Sequence, residues 1–131
     1  MSVALRIRDE TTSGEITMEF ELKVLSERIT LRDLIKQRVY QEVDNYNSNA
    51  PDMFRGLVQP SHSEKVLNGF KLRKEQKVDR DRQFENALAA FGTSALVVIV
   101  NDRQLESLDE SIIITPKTVV SFLKLVPLVG G

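Results

Sequence analysis

Few residues in this chain can do chemistry, and composition strikes out most familiar sets. Cysteine is absent from the 131 residues and histidine occurs once, as His62. That excludes disulfides, thiolate zinc sites, iron–sulfur clusters, a cysteine nucleophile and any histidine cluster or histidine pair. His62 lies between Ser61 and Ser63 in a stretch without hydrophobic period, so it reads as a solvent-exposed loop residue. Asp109 and Glu110 are neighbours in a turn, and adjacent acids rarely converge on one substrate. Lys65, Lys71, Arg73, Lys74, Lys77, Arg80 and Arg82 form a basic stretch, offset by Glu64, Glu75, Asp79 and Asp81. Its net +3 with Phe70 as the one aromatic is a poor nucleic-acid signature, and a solvated face is expected. What remains is the carboxyl-terminal end: Leu125, Val126, Pro127, Leu128 and Val129, then Gly130 and Gly131. Residues without Cβ allow close approach to the backbone, and Pro127 cannot donate to a sheet ladder, which helps free this segment from a preceding strand.

These residues sit in a chain of ordinary globular make-up. Apolar residues are 41% and charged ones 28%, and 18 basic against 19 acidic residues leave a net charge of −1. No whole-chain field would draw it onto nucleic acid or membrane. The length suits one domain that buries roughly two-thirds of its unfolded surface. The first ten residues carry four charges where a signal peptide needs an apolar stretch, and the longest apolar run, Ala95 to Val100, falls far below the ~20 residues that span a bilayer. A cytoplasmic protein is the expectation, with no metal and no cofactor.

The elements that must position the terminus follow from hydrophobic period. Val3, Leu5 and Ile7 alternate with Ala4, Arg6 and Arg8, which predicts a strand over 3–8. Asp9 to Gly14 reads as a polar turn, and Ile16, Met18, Phe20, Leu22 and Val24 alternate with polar residues as the second strand of a hairpin. Thr30 is a good N-cap with Asp33 in the first turn, and Leu31, Leu34, Ile35, Val39, Val43 and Tyr46 share one helical face over 31–47. That face is expected to lie across the hairpin. Residues 48–78 lose their period and read as an insertion, with Met53, Phe54, Leu57, Val58, Leu67 and Phe70 docking on the core. Asp79 or Asp81 caps a second helix that carries Phe84, Leu88 and Phe91, with Gly92 as its stop. Leu96 to Val100 is a short buried strand, and residues 101–104 turn the chain. A short strand is expected at 112–114, and 118–125 reads as the final, central strand, parallel to the first.

Hairpin, helix, strand, turn-rich segment and last strand is the order of the β-grasp fold. The carboxyl-terminal third, Val97 to Gly131, resembles the sulfur-carrier and ubiquitin-like families: Val100-Asn101-Asp102, a Leu108-Asp109-Glu110 turn, Thr115-Pro116-Lys117-Thr118, then Val119-Val120-Ser121-Phe122 running into an apolar tail closed by Gly130-Gly131. More closely, it resembles the ubiquitin-like proteins of bacterial operons that also encode activating, conjugating and deubiquitinase-like enzymes. The expected fold class is therefore α+β, a ubiquitin-like β-grasp with a mixed sheet packed on a helix. One domain would cover 1–131, with an insertion at 48–78 and a flexible tail at 125–131. The resemblance does not extend to residues 48–93.

The resemblance implies that the chain is a substrate of activation chemistry and no enzyme. The Gly131 carboxylate would be adenylated with ATP by an activating enzyme and passed to a thiol, with Gly130 and Gly131 in that enzyme's channel and Leu125, Val126, Pro127, Leu128 and Val129 as its docking strip. Since Gly131 is the last residue, no maturation cleavage would be needed. Implied partners are the activating enzyme, a conjugating enzyme, a deubiquitinase-like peptidase and unidentified target proteins. A sulfur carrier that forms a terminal thiocarboxylate, or an interaction module whose tail is never activated, are the alternatives.

Overall fold

The computed structural model describes residues 3–49, 54–60, 63–66, 69–72 and 77–125. It is α+β. The elements run β1 (Val3–Glu10), β2 (Ile16–Val24), β3 (Arg28–Thr30), α1 (Leu31–Asn49), β4 (Glu64–Val66), β5 (Gly69–Lys71), α2 (Arg80–Gly92), β6 (Leu96–Val100), β7 (Arg103–Gln104), β8 (Ser111–Ile113) and β9 (Val119–Lys124). The chain divides into two compact units, Met1–Leu34 with Ala90–Gly131 and Ile35–Ala89, and the division falls inside both helices.

The first unit is built on a mixed five-stranded sheet of order β2-β1-β9-β6-β7. As the alternation requires, β1 and β2 pair antiparallel, with Leu5 opposite Leu22 and Ile7 opposite Phe20. The last strand β9 lies parallel to β1, Ile7 facing Val120, and antiparallel to β6, Val98 facing Phe122. A parallel pair needs a crossover, which is why the chain between them is long. Leu5, Ile7, Val24, Val98, Val120 and Phe122 are completely buried. Burying each such side chain is worth about 1.5–3 kcal/mol, so this row dominates the unit's stability.

Its turns use residues that tolerate unusual backbone. Gly14 closes the β1–β2 hairpin at φ +88°, where any Cβ would be strained. Asn101 and Asp102 both have positive φ, +48° and +69°, the requirement of a two-residue type I′ turn between β6 and β7. A separate two-stranded pair, β3 with β8, sets Ile29 against Ile112. Neither β3 nor β7 is visible in the sequence pattern, because two or three residues are too few to show a period.

In the second unit the α1 stripe continues as Ile35, Val39 and Val43, all buried. The helix begins as its cap predicts, the Asp33 N–H donating to Thr30 Oγ1 at 3.2 Å, but it runs to Asn49, past the 31–47 that its apolar face marks. The segment that follows is more ordered than its missing period suggests. β4 and β5 form an antiparallel hairpin, and Phe54 and Phe70 exchange backbone hydrogen bonds of 2.7 and 2.8 Å. The Tyr46 and Phe54 rings meet edge to face at 5.4 Å. Phe54, Leu57, Leu72 and Val78 are buried, while Met53 and Leu67 lie outside the described residues.

The second helix is capped by Asp79: its Oδ1 accepts the N–H groups of Asp81 and Arg82 at 3.0 and 3.2 Å. Its end differs from expectation. Gly92 is the last helical residue, and the left-handed position falls to Ser94 at φ +62°. The Ala95 N–H donates to Ala90 O and the Ser94 N–H to Phe91 O, a Schellman arrangement two residues beyond the glycine. A serine tolerates this at a modest strain, because the paired carbonyls offset it.

Candidate functional site

The candidate site is the end of β9, where the chain passes to the terminal segment. The central strand delivers it: β9 is flanked by β1 and β6, so its backbone groups are paired on both sides. The ladder does not stop at Lys124. Leu125, half-buried, donates its N–H to Ala95 O at 2.9 Å, one step past the Leu96–Lys124 pair. Leu125 is thus tied to the sheet by its backbone, and its docking role would have to be met by its side chain. Val126, Pro127, Leu128, Val129, Gly130 and Gly131 lie outside the described residues, as does His62.

Beside this end stands a group that the hydrophobic pattern misplaces. Asp9, read as the start of a polar turn, belongs to β1 and is 3% exposed. Lys124 brings Nζ to 3.7 Å from Asp9 Oδ2. The ladder is bulged at the same point, with Asp9 opposite Met18 but Glu10 opposite Ile16. The extra residue, Thr17, donates its hydroxyl to Asp9 O at 3.2 Å.

The Asp109–Glu110 turn has a structural task. Glu110 Oε2 accepts the N–H groups of Glu106 and Ser107 at 2.7 and 3.1 Å, and Oε1 accepts Arg103 Nη1 at 3.0 Å. The Glu106 N–H, then Arg103 and the Ser107 N–H hold the Glu110 carboxyl below its ordinary pKa, since all favour the charged form. The same loop caps α1: Leu31 and Arg32 donate their N–H groups to Glu110 O and Leu108 O, each at 3.0 Å. Arg32 also reaches Asp109 at 3.3 Å. Two adjacent acids therefore close a loop and a helix start.

In the second unit polar side chains gather around Tyr40. Its hydroxyl donates to Asp81 Oδ1, which together with desolvation raises the phenol's pKa above 10.0. Arg80 lies 4.6 Å from the ring centroid and Lys36 5.4 Å, and Arg80 also pairs with Asp44 at 3.6 Å. Of the basic stretch, Lys71, Lys77, Arg80 and Arg82 are exposed, while Arg73 and Lys74 lie outside the described residues. Arg38 is completely buried and bonds Glu42 one turn on. Its sole sequence signal is position: 38 falls within the apolar stripe, one turn after Leu34.

Among the described residues no group of three or more histidines, aspartates and glutamates is placed to hold a metal ion. No helix among them is long and apolar enough to cross a membrane. No protein-family model, curated protein or solved structure matches this chain.

Proposed function

We propose that this chain is a ubiquitin-like β-grasp protein modifier, working in the cytoplasm. Its Gly131 carboxylate is the reactive group. In the proposed reaction a carboxylate oxygen attacks the α-phosphate of ATP and pyrophosphate leaves. A cysteine thiolate of the activating enzyme then attacks the acyl adenylate, forming the thioester and releasing AMP. A conjugating enzyme passes the acyl group to target amines, and a deubiquitinase-like peptidase reverses the link. The chain supplies a carboxylate and a docking strip, and no catalytic side chain.

The observation that best supports this reading is the placement of β9. A final strand held between β1 and β6 brings the chain to one end of the sheet, immediately before an apolar run and two glycines. Gly130 and Gly131 would then enter a narrow channel where a Cβ has no room.

Pyrophosphate release with the cognate activating enzyme tests the proposal. Deleting Gly130 and Gly131 is expected to abolish release while leaving the unfolding midpoint unchanged, and Gly130→Ala to slow it strongly at a stability cost within about 0.5 kcal/mol. Full activity in the deletion would overturn the reading. Intact mass from the native host separates the outcomes further: isopeptide adducts support a modifier, a shift of about +16 Da marks a thiocarboxylate carrier instead, and an unmodified chain points to an interaction module.

A further inference from the structure

The end of the sheet from which residues 126–131 continue holds a charge pair that burial alone would not select. Asp9 faces Phe122 across the parallel ladder, and it falls on the face of β1 that carries Leu5 and Ile7. A valine there would extend the apolar row. The site instead holds a carboxylate whose side chain is 4% exposed, with Lys124 reaching it from the last position of β9. Removing a carboxylate from water is costly, and an apolar residue of similar volume is often as stabilising as a buried ion pair. What a charge pair adds is a preferred partner, and so a register.

Two further features fix the pairings on either side, of β1 with β2 and of β9 with β6. The bulge opposite Asp9 sets Thr17 outside the pairing, and Thr17 Oγ1 holds the Asp9 carbonyl. A bulge pins strand pairing and re-aims the side chain beside it. On the other side of β9, the Leu125 N–H is bound to Ala95 O. Strand, bulge and ion pair thus lie together at the end of β9, beside Leu125.

We propose that Asp9 and Lys124 form a register lock that holds Leu125 in its place in the ladder. This rests on the activation reading above and specifies how that site is prepared. Each residue released from or added to the ladder changes the reach of Gly131 by about 3.3–3.6 Å. A displacement of about 1 Å at a reacting atom already slows a positioned reaction, so the adenylating enzyme needs a defined start point. Asp9 and Lys124 are positioning residues: they act through Leu125 and do not touch the reacting carboxylate.

Amide hydrogen exchange on the full chain is the decisive experiment, with Asp9→Asn and Lys124→Met as variants. The lock predicts exchange at Leu125 faster by about tenfold in each variant, no further gain in the double variant, and unchanged exchange at Val98 in the same sheet. Unchanged exchange at Leu125 would overturn the proposal. So would equal acceleration at Leu125 and Val98, which is the mark of a pair that merely stabilises the fold. If Asp9→Asn fails to fold, Lys124→Met, whose side chain is 40% exposed, carries the test. With the activating enzyme, the variants should raise KM for pyrophosphate release and keep kcat, because only the population of the competent conformation falls. Faster Leu125 exchange with unaltered KM would overturn the link to activation. A wild-type chain that is never adenylated defeats the activation reading, and with it that link, while the exchange measurements still decide the lock.

Discussion

In the unit formed by Met1–Leu34 and Ala90–Gly131, backbone ladders carry the structure; in Ile35–Ala89, single side chains do much of the closing. The first unit repeats one device, strand against strand, with registers such as Leu5–Leu22 and Val98–Phe122 setting apolar residues on a common face. The second relies on particular polar groups. Asn47 bonds both backbone groups of Val78, donating from Nδ2 at 2.9 Å and accepting at Oδ1 at 3.0 Å. Gln83, 2% exposed, donates to Val58 O at 2.9 Å. Such clasps hold a segment whose sequence lacks a strand period. The lesson is one of fragility: the sheet should resist polar substitutions and fail through lost volume, while the second unit should be sensitive to single polar atoms and to one glycine.

The largest effect that tests this contrast lies in the core of the first unit. Phe122→Ala is expected to cost about 3–5 kcal/mol and Leu34→Ala about 2–5 kcal/mol in denaturant unfolding, because both side chains are fully buried. Losses below about 1 kcal/mol at both would mean that the buried faces are misassigned.

Gly56 comes next. A Cβ built there would lie 2.0 Å from Phe54 Cε2, and the Phe54 ring is itself buried and unable to swing away. Gly56→Ala should destabilise by about 1–3 kcal/mol through overpacking. Shortening Phe54 to leucine in the same chain should recover part of that loss. Additive effects of the two changes would show that the ring and the glycine are independent.

Removing the Asn47 clasp is expected to cost about 1–3 kcal/mol, since Asn47→Ala leaves the Val78 N–H and C=O without their side-chain partner. The signature is local, with exchange at the Val78 amide accelerated well beyond that at Ile7. Uniform acceleration across both would erase the distinction between the units.

The smallest effect is the acid sensitivity of the loop that caps α1. The folded state lowers the Glu110 pKa below its ordinary 4.5, so it favours the carboxylate. The stability this supplies is present in full above pH 4.5 and is lost as pH falls through the lowered folded value. Thermal midpoints of wild type and Glu110→Gln should therefore differ at neutral pH and converge below pH 4.5. Parallel curves down to acid would remove the carboxylate from the account.

The sequence by itself determined the parts whose signal is local and repeated. Period two over five residues of β2 allows only a half-buried strand, and Thr30 with Asp33 marks a helix start because a hydroxyl can serve the orphan N–H groups there. The absence of cysteine and the single histidine set the limits of its chemistry in the same direct way. Tertiary structure alone decided what depends on distant partners. β3 is three residues long and exists because it meets β8, with Thr30 opposite Ser111. Asp9 reads as a turn residue until β9 brings Lys124 beside it. Gly92 is the natural helix stop by composition, yet the carbonyls of Ala90 and Phe91 find their donors one turn later, so the left-handed residue is Ser94. A period shows the face an element must bury, but a charge or a two-residue strand takes its meaning from whatever the fold sets beside it.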